Sequence, residues 1–154
     1  MKNNLFESAT QKSILDRIQK LTPESKPLWG VMTVNQVVCH LADPLRDVLN
    51  LRSTRPVVPG FLRPLMRLIV LTEKPWKPGT PTLKPYKQGP GGKGTPPTTF
   101  EADKSALIQL VREFCSKDAT FRFNPHPGLG RLSREKMGFF IWKHCDHHLR
   151  QFGV

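Results

Sequence analysis

Val34, Val38, Leu41, Leu45 and Val48 follow one another at steps of four, three, four and three residues. That spacing puts five apolar side chains on one stripe of an α-helix and excludes a β-strand, whose faces alternate every second residue. Met137, Ile141, His144, His148 and Gln151 repeat the same steps near the C-terminus. Shorter stripes occur at Ile14, Leu15, Ile18 and Leu21, and at Ala106, Leu107, Leu110, Val111 and Phe114. No strand-like alternation of useful length appears anywhere in the sequence. The expected class is therefore all-α, with four main helices. A chain of 154 residues suits a single domain, 1–154, with one core.

Local signals bound these segments. The first runs over Ser8 to Leu21 and is closed by Pro23 and Pro27. The second starts at Thr33, where Thr33-Val-Asn-Gln36 has the form of a capping box. Pro44 lies inside it and predicts a kink or an early end, since its ring clashes with the His40 carbonyl and donates nothing to it. The stretch Phe61 to Leu71 reads as a short helix or a buried connector. Residues Lys74 to Pro97 are rich in Pro, Gly and Lys, with almost no apolar periodicity, and form a long loop between the second and third main helices. Thr98-Thr-Phe-Glu101 predicts a second capping box, and Ser133 an N-cap for the last helix. Gly89 to Gly94 resembles a phosphate loop only superficially, because no Ser or Thr follows a Gly-Lys pair and no strand precedes it.

The formal charge is +12, from 24 Lys and Arg against 12 Asp and Glu. Such a surplus attracts anionic partners, or is merely a solvated surface. The basic residues are not interleaved with aromatics, and no helix-turn-helix or finger motif occurs, so nucleic acid is not the expected partner. Cys39, Cys115 and Cys145 are odd in number and form no CxxC pair, which reads as reduced thiols in a cytoplasmic protein. The N-terminal segment lacks the apolar core of a secretory signal. Phe61 to Leu71 is too short and too charged to span a bilayer, and no membrane partner is expected.

The last stripe carries the chemistry. His144 and His148 stand one helical turn apart near the middle of an apolar face, while Lys143, Asp146 and Arg150 fall on the outer side. Two buried imidazoles need partners, since an unsatisfied buried polar group costs about 1–3 kcal/mol. A shared divalent metal provides them, as do backbone carbonyls or water. His147, on the flank of the same face, is a candidate alternative ligand or catalytic base. His40 lies at the edge of the second segment's stripe, where it can border a cavity between helices and supply a third ligand. Gln36 and Asp43, about a turn to either side, are candidate supporting groups, and Asp43 is also a candidate catalytic residue. His126 is assigned to a turn, because about 11 residues of helix at 1.5 Å rise put it roughly 16 Å from His144 unless the loop folds back.

Trp29-Gly-x-Met32-Thr33-x-x-Gln36-x-x-x-His40, then His126-Pro-x-x-Gly130, then Lys143-His144-x-x-His147-His148-Leu-Arg-Gln151-Phe152-Gly153, together resemble the DUF1569 branch of the DinB-like superfamily. The likeness spans nearly the whole chain, and the C-terminal HxxxHxxQ is its most specific part. Met137 stands where Trp is common and Leu129 where Phe is common; both changes keep an apolar side chain. The resemblance implies an up-and-down four-helix bundle with a metal-binding triad of His40, His144 and His148. Nickel or zinc is the implied ion, with manganese or iron as alternatives. It also implies a metal-dependent enzyme, a transferase or isomerase using a low-molecular-weight thiol or a related hydrolase, and a homodimer; the basic surplus would attract a thiol that is anionic. A non-catalytic metal-binding module or a basic nucleic-acid-binding module is the competing reading.

Overall fold

The computed structural model describes residues 3–154. Met1 and Lys2, the first residues of the segment read above as lacking a signal core, lie outside the described residues. Five α-helices follow in order: α1 Ser8–Gln19, α2 Val34–Val48, α3 Arg63–Val70, α4 Phe100–Ser116 and α5 Arg134–Gln151. A single 3-10 turn, Gly60–Leu62, leads into α3. No strand occurs among the described residues; one isolated bridge pairs His126 with Gly130. The chain is all-α.

Helix α2 packs against α4 and α5, and α1 packs against the same two helices. The stripes meet in one core, where Ile14, Ile18, Val38, Leu45, Leu107, Phe114, Met137 and Ile141 are buried. Burying each such side chain contributes about 1.5–3 kcal/mol.

The capping box at α2 forms as its sequence predicts, with the Thr33 hydroxyl accepting from the Gln36 amide and Gln36 Oε1 from the Thr33 amide. Gln36 is thus a cap. Ser133 caps α5, accepting from the Lys136 amide. At α4 the cap is Thr99, one residue later than expected, and Thr98 instead bonds Asp103 through both its amide and its hydroxyl.

Two further expectations are corrected. Helix α2 does not end early at Pro44 but runs on to Val48. Leu45 and Val48 lie beyond the proline and are fully buried. Their burial offsets the roughly 3 kcal/mol that a mid-helix proline costs. Lys143 is not on an outer face: it is buried, and its ammonium donates to the carbonyls of Val70 and Thr72. The Val70 carbonyl is the last of α3 and that of Thr72 lies just past its C-cap, where a cation is favoured.

Phe61 to Leu71 is a short helix and not a buried connector, since none of α3 is buried. Residues 71–99 form turns and bends without helix or strand.

Candidate metal centre

His40 comes from α2; His144 and His148 come from α5, one turn apart. All three are buried. One ring nitrogen from each lies within 4.8 Å of the others. The rings meet edge to face, with centroids 4.7 Å apart for His40 and His144, 4.7 Å for His40 and His148, and 5.0 Å for His144 and His148.

Hydrogen bonds decide which nitrogen of each ring faces the others. His40 Nδ1 is 2.8 Å from the Tyr86 carbonyl, which only accepts, so Nδ1 carries the proton and Nε2 keeps a lone pair. His148 Nδ1 donates to Gln151 Oε1 at 2.8 Å. The Gln151 amide is oriented in turn by its Nε2, which donates to the Trp29 carbonyl at 2.6 Å. That contact needs Gly30, whose φ is +81° and where a Cβ would come within 2.5 Å of Gln151 Nε2. His144 Nε2 lies 2.9 Å from His40 Nε2. Two nitrogens bound to one tetrahedral ion at about 2.0–2.1 Å each are about 3.3 Å apart, so the pair is close to ligand spacing. His40, His144 and His148 can therefore hold a metal ion. Acceptors at Nδ1 that leave Nε2 for the ion are the usual support of a metal-binding histidine.

The electrostatics favour the neutral rings that ligation requires. Burial is the first cause in every case. It lowers His40 below the ordinary 6.5, lowers His144 well below it with the other histidines adding, and brings His148 down to about 3. The thiols are pushed the other way. Cys39, Cys115 and Cys145 are all raised to about 12 by burial, which leaves them protonated at neutral pH.

The triad lines one cavity, and His148 reaches a second. One, of about 130 Å³, is lined by Met66, Val70, Trp76, Leu83, Phe140 and the three histidines among others. The other, of about 360 Å³, is lined by Trp29, Gly30, Met32, Lys87, Gln88 and Gln151, and also reaches His148. His147 borders both cavities. It is buried, its pKa is lowered chiefly by burial, and its Nδ1 has no hydrogen-bond partner.

A family model described as a protein of unknown function (DUF1569) matches residues 15–153. The chain belongs to the DUF1569 family. No curated protein and no solved structure matches it.

Asp43 is not part of the histidine cluster of this DUF1569 chain. Its carboxylate accepts from the Thr95 amide at 2.8 Å, from the Thr95 hydroxyl at 2.5 Å and from Arg46 at 3.1 Å. Arg52 Nη1 completes an ion pair with it at 2.9 Å. Asp47 repeats the pattern, accepting from the Tyr86 hydroxyl at 2.7 Å and the Thr54 hydroxyl at 2.8 Å. Through these bonds the loop rich in Pro, Gly and Lys is held against α2, and it supplies Trp76, Leu83 and Tyr86 to the site.

Tyr86 and Trp76 were not among the residues singled out from the sequence. The signal available was that they are the only Tyr and the only Trp of a segment otherwise nearly free of apolar residues. His126 does take its turn role, with Nδ1 accepting from the Gly128 and Leu129 amides at 3.2 and 3.1 Å. The loop nevertheless folds back, so His126 also lines the cavity beside His144. Its ring lies against Phe140 at 4.7 Å and Tyr86 at 5.7 Å.

Two expected results follow from this geometry. Gln151→Ala frees the His148 ring and weakens divalent-ion binding about 10- to 100-fold, as read by competition with a chelating dye. Unchanged affinity would mean that Gln151 serves packing alone. The second concerns acid. Burial lowers the His126 pKa from 6.5 to about 3. The folded ring stays neutral while the unfolded one takes up a proton, so its contribution is intact above pH 6.5 and is lost as the pH falls towards 3. At pH 5 the loss is about 2 kcal/mol for this ring, and His40, His144 and His148 act in the same direction. Urea midpoints measured in chelator fall from pH 7 to pH 5; a flat profile would contradict the buried, neutral cluster.

Proposed function

We propose that this protein is a metal-dependent enzyme built on a DinB-like four-helix bundle of α1, α2, α4 and α5. It joins an anionic low-molecular-weight thiol to a small electrophile, or hydrolyses a related substrate. The observation that carries the reading is the convergence of one ring nitrogen from each of three buried histidines beside a cavity that all three line and a second that His148 reaches. Three imidazoles leave coordination positions open, as catalytic sites do. Nickel or zinc is the proposed ion, since imidazole suits both. A divalent ion held there would lower the pKa of a thiol or water and polarise a carbonyl.

The chain's own residues supply the rest. His40 and His148 are presented by Tyr86 and Gln151 in the tautomer that exposes Nε2. Trp76, Phe140 and Leu83 exclude water from the smaller cavity and suit an apolar electrophile. Lys87, with the basic surplus of the surface, suits the anionic end of a thiol in the larger cavity. His147 would take a proton at Nδ1, where the neutral ring has no partner and borders both cavities. Asp43 is fully engaged by Arg46, Arg52 and Thr95, and is proposed as a brace and not as a base. The free cysteines suit a reducing cytoplasm.

The test is turnover of nickel- and zinc-loaded protein against a panel of anionic thiols and alkylating or acyl electrophiles. The proposal expects thiol-dependent product that chelation abolishes. Bound metal with no turnover across the panel would leave a non-catalytic metal module.

A further inference from the structure

The outer face of α3 is built the wrong way round for a protein that meets only water. Phe61, Leu65 and Leu68 follow at steps of four and three, with Leu62 and Ile69 beside them, so they share one face. That face is bare: Phe61 is 82% exposed, Leu65 55%, Leu68 72% and Ile69 59%. The helix's arginines point inward instead. Arg63 Nε donates to the Val58 carbonyl at 3.0 Å, and Arg67 donates to the carbonyls of Leu129 at 2.7 Å and Arg131 at 3.0 Å. Both pack over Gly130, where a Cβ would meet each at 3.1 Å. These bonds fix the roll of the helix, so the apolar face is held outward. A contiguous exposed apolar face of this kind marks an interaction surface.

Charge indicates what covers it. Between Asp47 and Glu101 the chain carries four Arg and five Lys against one carboxylate, Glu73; Arg52 is paired with Asp43 and Arg63 and Arg67 turn inward, which leaves Arg55 and the five lysines as the exposed cations. Lys74 and Lys77, just past the end of α3, are exposed, as is Arg55 before it. Two copies meeting through this face would bring two strongly basic segments together. An anionic lipid surface offers the opposite charge and an apolar interior at once. No helix among the described residues is long and apolar enough to cross a membrane. Lying on a surface is a different demand, met by an apolar face with flanking cations.

We propose that α3 and the preceding 3-10 turn form a docking face for an anionic lipid surface, with Phe61, Leu65 and Leu68 entering the headgroup boundary. The inner side of α3 contributes Met66 and Val70 to the smaller cavity, so docking sets that cavity beside the lipid.

The experiment is co-sedimentation of the full chain with vesicles of phosphatidylcholine alone and of phosphatidylcholine containing phosphatidylglycerol. Binding at least about tenfold tighter to the anionic vesicles is expected, weakening as salt rises. Phe61→Ser and Leu68→Ser, both at exposed positions, each reduce that binding about tenfold while circular dichroism stays unchanged. Three results would overturn the proposal. One is no retention on anionic vesicles. Another is equal retention of parent and variants, which would mean charge alone. The third is a dimer by light scattering that the two substitutions together convert to monomer, which would mean that a second copy covers the face.

Discussion

His144→Ala and His148→Ala each take the protein from about one bound divalent ion per chain to below about a tenth, measured by elemental mass spectrometry on tag-free protein. Neither remaining pair of histidines makes a site, because two imidazoles lack the third donor that closes the coordination triangle. The loss also shows in stability. A ligand at a thousand times its dissociation constant stabilises the folded state by about 4 kcal/mol. Excess nickel or zinc therefore raises the melting temperature of the parent and leaves both variants unmoved. Circular dichroism of both variants, matching the parent, separates loss of the ion from loss of the fold. A parent that takes up no ion after incubation with nickel, zinc, manganese or iron would sink the site, as would variants that keep theirs.

The second large effect is at Asp43. Its carboxylate is completely buried and holds Arg46, Arg52 and Thr95 at once. Asp43→Ala leaves the partly buried Arg46 guanidinium without its anion, strips Arg52 of its nearer one, with Asp47 remaining at 3.9 Å, and releases Thr95 from α2. Breaking such a network by removing one partner costs about 3 kcal/mol. The urea midpoint falls accordingly, and trypsin cuts faster after Lys87 and Lys93, because the loop that carries them is no longer tied down. Asp43→Asn keeps the shape and one acceptor, and falls between the two. The competing role is separable. If Asp43 were the catalytic base, the alanine variant would keep the parent's stability and protease pattern and lose only turnover.

Both predictions concern residues visible in the sequence, but to different degrees. The i, i+4 pair His144 and His148 was legible because period and burial coincide: a stripe of Met137 and Ile141 that continues through two histidines carries them into the core. His40 was legible only as an edge position, and its approach to His144 depends on how α2 and α5 lie against each other. Asp43 was legible as a polar group one turn away. What it holds was not, because Thr95 is 52 residues away along the chain. Lys143 was misplaced for a related reason: helical angle assigns a residue to a face, but not what covers that face, and here the end of α3 covers it.

The sequence by itself determined the helices, most of their caps, the all-α class and the two histidines on one stripe. Each of these is set by neighbours within about four residues, through backbone hydrogen bonds and the 3.6-residue period. The tertiary structure alone decided that Tyr86 would orient His40, that Gln151 would reach the Trp29 carbonyl over Gly30, and that the loop of residues 71–99 would roof the site. It also decided that α3 would turn its arginines in and its leucines out. Those outcomes rest on contacts between groups dozens of residues apart, and on burial that no local window contains. A periodic pattern says that a face is apolar; only the packed chain says whether that face meets the core or is left bare.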